Sequence, residues 1–305
     1  MVHNPFMSVR AVQIDRHGGP EVLRVRAVPV PTVRAGEVLV RTVASSLNPV
    51  DWKTRTWDRG PAFPMTLGSD LAGIVVESTV APFRTGDRVV AFSDQQASGI
   101  GTWADLVALP AELLAPAPTR AALTEAATLP LAGLTALQAL TAMEVQSTSR
   151  VLVAGAAGAV GALFVQLAVQ AGATVDGLVS RPGHVEPIRK LGAALVTHDP
   201  ARLSRGTYAA VFDTAGLQRA GVQARPLLGA GGRYVSITDD PLPDIPGAGG
   251  VQVREDGAGL ARLVRWVDDG ALMLRVAAHY PLQQVREAHR RFEAGGLLGK
   301  VVLVF

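Results

Sequence analysis

Between Arg150 and Asp176 the chain carries no ionisable side chain. This stretch holds the run Val151-Leu152-Val153-Ala154-Gly155-Ala156-Ala157-Gly158-Ala159-Val160-Gly161-Ala162-Leu163-Phe164-Val165-Gln166-Leu167-Ala168-Val169. Length alone admits a membrane-spanning helix, which needs about 20 predominantly apolar residues. The glycines at 155, 158 and 161 point elsewhere. A short β-rich segment, 151–154, runs into a Gly-x-x-Gly-x-x-Gly pattern, and a helix is expected from Ala159 onward. Glycine lets the backbone turn sharply, lets a pyrophosphate approach without meeting a Cβ, and lets the helix sit close to the strand. Free N–H groups at the helix start favour the negative charge. A turn and a second apolar strand follow at 171–180, which a membrane span would not require. Gly155, Ala156, Gly158, Ala159, Val160 and Gly161 are therefore expected to cradle a dinucleotide.

Strands expected at 151–154, 174–179, 209–213 and 233–237 alternate with helical segments, and one more helix is expected over 257–267. This is the alternation of a Rossmann-type, doubly wound parallel sheet in an α/β chain. The first hundred residues differ: short β runs at 9–14, 37–43, 73–77 and 87–92 are separated by Gly and Pro, giving a β-rich unit. Residues 115–118 (Ala-Pro-Ala-Pro) read as a hinge, and Thr119 reads as the cap of a helix carrying Leu123, Ala126 and Ala127. Near the end, Leu282, Val285, Ala288 and Phe292 share one helix face, Gly295-Gly296 ends that helix, and 300–304 is a strand.

At 305 residues, 48% of them hydrophobic, the chain has room for two domains and a sizeable core. The net charge of +3 comes with arginines scattered along the sequence, so nucleic acid is not the implied partner. There is no Cys, which excludes disulfides, thiolate catalysis and any zinc site built on sulfur. A reducing cytoplasm fits, and no membrane is expected. The first seven residues lack a basic segment followed by an apolar core; they are expected to be a frayed leader rather than a secretion signal.

Several motifs occur together: Gly18-Gly19-Pro20-Glu21-Val22-Leu23, Asn48-Pro49-Val50-Asp51-Trp52-Lys53, Gly68-Ser69-Asp70-Leu71-Ala72-Gly73, Gly86-Asp87-Arg88-Val89, Ala126-Ala127-Thr128-Leu129-Pro130, Ala132-Gly133-Leu134-Thr135-Ala136 and Gly299-Lys300-Val301-Val302-Leu303. In this set and order the chain resembles the medium-chain dehydrogenase/reductase superfamily, in its zinc-independent quinone oxidoreductase (zeta-crystallin-like) branch. The resemblance implies a GroES-like catalytic domain made from both ends of the chain, 1–118 plus 271–305. A Rossmann domain, 119–270, is inserted between them, with the active site in the cleft. Zinc-dependent relatives place a Cys ligand and a Gly-His-Glu motif where this chain has Asn48 and Gly68-Ser69-Asp70, which implies that catalytic zinc is absent. Asp51 and Asp70 stay open between a structural role and one at the nicotinamide.

An NAD site commonly ends its second strand in an acid that binds both ribose hydroxyls. Here, nineteen places after Gly161, the sequence reads Ser180-Arg181, a hydroxyl and a guanidinium suited to a 2′-phosphate, so NADPH is expected. Asp176 lies four residues early and is expected to face elsewhere. By resemblance, Thr135 is expected to bond the nicotinamide carboxamide and Lys300 to meet the pyrophosphate. Asp213-Thr214-Ala215-Gly216 follows a strand at the edge where open α/β sheets bind ligands.

The expected reaction is hydride transfer from NADPH to a quinone or an α,β-unsaturated carbonyl. It needs positioning and stabilisation of an oxyanion more than an acid-base triad. Asn48 and Asp51 are the candidate catalytic residues, with Ser45 and Ser46 nearby. Trp52, Trp57 and Phe63 either stack on a flat substrate or pack the small domain. Residues 238–250, with three prolines and three glycines, form an irregular loop that lies over the substrate or on the surface. Residues 251–254 are expected to be a short strand, which the resemblance implies pairs across a dimer axis in a homodimer. A non-catalytic protein that holds NADPH as a sensor or structural element is the alternative.

Overall fold

In a computed structural model, which describes residues 8–57 and 62–305, the strand Arg150–Ala154 is the third of six parallel strands. Their order is Leu195–Thr197, Thr174–Leu178, Arg150–Ala154, Tyr208–Asp213, Leu228–Ser236, Gly249–Gly250. Counted by chain position this is the order 3-2-1-4-5-6 of a doubly wound dinucleotide fold, with its switch point between Arg150–Ala154 and Tyr208–Asp213. The first seven residues, read above as a leader, lie outside the described residues.

The uncharged run owes its composition to being covered twice. Val151, Leu152, Val153 and Ala154 are all buried, as a central parallel strand with helices on both faces requires. The helix Ala159–Gln170 is buried over Gly161–Ala168, because it lies between this sheet and the helix Pro130–Ala142. No helix among the described residues is long and apolar enough to cross a membrane.

A second sheet has seven strands. Six run in the order Val276–Pro281, Lys300–Val304, Glu37–Ser46, Asp70–Ser78, Arg88–Phe92, Leu114–Pro116, and Leu106–Pro110 pairs with Glu37–Ser46. The two C-terminal strands thus complete a sheet begun by the N-terminal half, with Val302, Leu303 and Val304 opposite Ser46, Ser45 and Ala44. A smaller sheet joins Arg24–Pro29, Ser8–Ile14 and Met65–Thr66. The helix Val285–Glu293, preceded by a short turn of helix at Leu282–Gln284, buries Leu282, Val285 and Ala288 against this unit.

Three local expectations are corrected. Leu114–Pro116 is a strand paired with Arg88–Phe92, so the supposed hinge begins inside a sheet. Thr119 caps no helix: its N–H and hydroxyl both donate to Asp268 Oδ1, and the helix Leu123–Ala126 begins only after Ala122. Residues 251–254 form no strand, and the last pairing is made by Gly249–Gly250.

Candidate active site

A cavity of about 1320 Å3 opens between the two sheets. Along its Rossmann wall lie Gly155, Gly158, Ala159, Val160 and Ser180, and opposite them lie Asn48, Lys53, Phe92 and Lys300. Of the residues proposed for the cofactor, Thr135 also lines the cavity, whereas Ala156, Gly161 and Arg181 do not.

Three glycines make the turn in three different ways. Gly155 has φ +78°, and a Cβ there would meet the Thr214 hydroxyl at 2.5 Å and Ala215 at 2.8 Å. At Gly161 a Cβ would strike the Gly155 carbonyl at 2.4 Å, so this position serves close packing of helix on turn. Gly158 is ordinary extended backbone, and a Cβ would touch only the Gly155 carbonyl, at 3.3 Å. The space its side chain would take is open. Gly158 also starts the helix Ala159–Gln170 without any side-chain cap, leaving first-turn N–H groups for an anion. These features fit a dinucleotide pyrophosphate.

Ser180 and His184 face the cavity past the second strand. Arg181 instead lays its guanidinium against Gly296: a Cβ there would lie 2.2 Å from Arg181 Nη1. Asp176 is turned away, accepting from Arg150 (2.8 Å) and from the Tyr208 hydroxyl (2.7 Å). Asp213 takes the N–H groups of Ala215, Gly216 and Leu217, which presents the 214–216 backbone to the cavity.

At the other end stands a buried polar cluster. Asp70 Oδ2 accepts from Ser46 Oγ (2.5 Å), Asn48 Nδ2 (2.7 Å) and Lys300 Nζ (2.7 Å). Its Oδ1 accepts from the Leu131 N–H (2.7 Å), which fastens the helix Pro130–Ala142 to the catalytic sheet. Lys300 also donates to Asn48 Oδ1 (2.5 Å), so the Asn48 amide is held at both ends. The Lys300 ammonium sits between Asn48 and Asp70, where a metal would need their oxygens, and this donor set does not fit zinc. Lys300 uses two of its three N–H bonds here.

Asp51 lies behind Asn48, not in the cavity wall. It accepts from the Asn48 N–H (2.6 Å) and from Gln95 Nε2 (2.9 Å). Burial is the largest influence on its carboxyl, and nearby Asp70 adds to it, so its pKa rises to about 7 although the Asn48 N–H pulls the other way. Thr135 donates to the Leu131 carbonyl (2.7 Å), leaving its oxygen to accept. Trp52 and Trp57 pack edge to face on each other, and Phe63 packs on His17; none of the three lines the cavity. The loop 238–250 does reach it through Thr238 and Asp239, and Asp239 forms an ion pair with Lys53 across the cleft. The Asn48 motif drew attention to Lys53 only as part of a string, since nothing in sequence placed Asp239 opposite it.

Comparison with known proteins places the chain in a family. The alcohol dehydrogenase GroES-like domain matches residues 34–119, and a zinc-binding dehydrogenase domain matches 191–303. A chloroplastic NADPH-dependent alkenal/one oxidoreductase from Arabidopsis thaliana is 31% identical, over 94% of this chain and 77% of that one. This chain belongs to the medium-chain dehydrogenase/reductase superfamily, in its quinone oxidoreductase branch. A 2-methylene-furan-3-one reductase from Solanum lycopersicum is also 31% identical, over 97% of this chain and 79% of its own. The quinone oxidoreductase of Coxiella burnetii superposes with a TM-score of 0.86 at 28% identity, covering 98% of this chain and all of the other.

Proposed function

We propose that this medium-chain reductase transfers hydride from NADPH to a quinone or an α,β-unsaturated carbonyl without zinc. The observation that carries the reading is a single cavity running from the glycine turn to the Asn48–Asp70–Lys300 cluster. When bound, the nicotinamide supplies a hydride. Leu47, Val50, Phe92 and Leu131 make apolar walls that suit a flat, neutral substrate and exclude water. The remaining Lys300 N–H is the donor offered to a developing oxyanion; Asn48 and Asp70 hold that ammonium in place, and Asp51 acts through Asn48 by holding its backbone. Thr135 offers its oxygen to the carboxamide. Ser180, rather than an acid, at the end of the second strand supports NADPH over NADH, with Arg181 as the phosphate partner once it leaves Gly296.

A panel of quinones and enones with NADPH tests this reading. Oxidation of NADPH by at least one class is expected; none, from protein shown to bind the cofactor, overturns it. That second result is what a sensor would give, a reading favoured by the two carboxylates bonded to Asn48, Asp51 and Asp70, both lying outside the cavity wall. We extend the proposal to a cytoplasmic homodimer, supported by the lack of Cys and by a Rossmann sheet that ends on the two-residue strand Gly249–Gly250. Light scattering at about micromolar concentration measures the oligomer.

A further inference from the structure

Arg275 precedes the strand Val276–Pro281 of the seven-stranded sheet, yet its side chain reaches the glycine turn of the other unit. Its Nη2 donates to the carbonyls of Ala157 (2.7 Å) and Gly158 (3.4 Å). No carboxylate pairs with it among the described residues, and its Nη1 is buried without a partner. Burial lowers its pKa to about 10, which still leaves it charged at neutral pH. A cation placed so without a counter-ion is costly, and an anion nearby relieves the cost.

The surroundings are positive throughout. After burial, the charges of Arg181 and Arg275 hold His184 below its ordinary value. The uncapped start of the helix Ala159–Gln170 adds the positive end of its dipole. A trans peptide sets the Ala159 N–H opposite the Gly158 carbonyl, so a group that holds that carbonyl on one side directs the N–H to the other.

We propose that Arg275 is a positioning residue for the dinucleotide pyrophosphate: from the catalytic unit it holds the turn carbonyls in place and sets an uncompensated charge behind them. This rests on the dinucleotide reading above. Because Arg275 acts through the turn and does not line the cavity, its effect is common to NADPH, NADH and ADP and is independent of the 2′-phosphate.

Two conservative variants separate charge from hydrogen bonding. R275Q keeps an N–H donor and loses the charge, whereas R275K keeps the charge and loses the fork. Equilibrium titrations, by nicotinamide fluorescence or calorimetry, are made with ADP, NADH, NADPH and 2′-AMP, the last having no pyrophosphate. R275Q is expected to weaken the first three about tenfold and alike, with 2′-AMP unchanged and a shallower salt dependence. R275K is expected to stay within about threefold of wild type, with the salt dependence kept. Wild-type affinity for ADP in R275Q, or an equal loss for 2′-AMP, overturns the proposal. Should R275Q not fold, R275K alone decides, since a loss beyond about tenfold rules out charge as the cause. Turnover is not read, so failure to reduce quinones leaves these results standing, while a wild-type protein that binds neither ADP nor NADPH overturns the inference together with the dinucleotide reading.

Discussion

Gly158 separates a ligand contact from a packing contact more cleanly than its neighbours. Its backbone is one that any residue adopts, and a side chain would enter open space toward the cavity. Gly158→Val is therefore expected to melt near the wild-type temperature and to show no rise on adding NADPH, whereas a bound ligand at 100 times its Kd stabilises by about 2.7 kcal/mol. A lowered melting point that NADPH still raises would place the pyrophosphate elsewhere. Arg181→Ala is expected to lose about 1–3 kcal/mol of NADPH affinity and little for NADH, because only the 2′-phosphate offers the guanidinium a charged partner. Equal losses for the two cofactors would refute that assignment. Asp51 carries a pH signature. Its pKa is about 7 in the folded chain and near 4 in the unfolded one, so the native state holds the extra proton between these values. Its contribution is fully present below about pH 4 and is lost as pH rises through about 7. Asp51→Asn should flatten that part of a stability-pH curve measured by urea unfolding. The Gln95 Oε1, buried without a partner, is placed to accept from a neutral group there if the amide turns over.

At the scale of elements, the helix Gly257–Asp268 shows how closely the two units are joined. A Cβ on Gly257 would lie 2.2 Å from the Glu112 carbonyl and 3.0 Å from that of Leu114, both backbone atoms of the other unit. Gly257→Ala is expected to cost about 1–3 kcal/mol, read as a lower melting temperature, with NADPH affinity unchanged. A loss of affinity without a loss of stability would contradict this account. Of the Rossmann strands, Leu195–Thr197 and Gly249–Gly250 are too short to leave a pattern, while the other four and the helix from Ala159 were legible in sequence because each buries an apolar segment. The strands Arg24–Pro29 and Val276–Pro281 were not. Both alternate between exposed and half-buried residues, and their place in a sheet depends on partners distant in sequence. Leu114–Pro116 was hidden for another reason: two prolines read as a hinge, although an edge strand tolerates proline where its N–H is not needed. In the site, Asn48, Thr135 and the glycines could be named from motifs. The roles of Asp70, Gln95 and Arg275 depend on which side chains meet after folding.

At the scale of the molecule, an ion pair joins the walls of the cleft, Lys53 with Asp239. Asp239 is 39% exposed, so the pair should add under about 1 kcal/mol to stability and be screened by salt. With NADPH saturating, kcat/KM for an uncharged quinone is expected to rise from low salt to about 0.5 M as the pair loosens, and Lys53→Met should remove that dependence. An unchanged salt response in the variant would free Lys53 of this role. The backbone passes between the units twice, first after Pro116 and again just before Val276. A side chain fastens each passage: Asp268 takes the N–H groups of Thr119 and Arg120, and Arg275 takes the carbonyls of Ala157 and Gly158. With the Leu131 N–H on Asp70 and the close packing of Gly257 on the Glu112 carbonyl, these two pins hold the walls of the cleft at a set spacing. A molecule that touches both walls then enters a frame already set, and little ordering is left for its binding to cost.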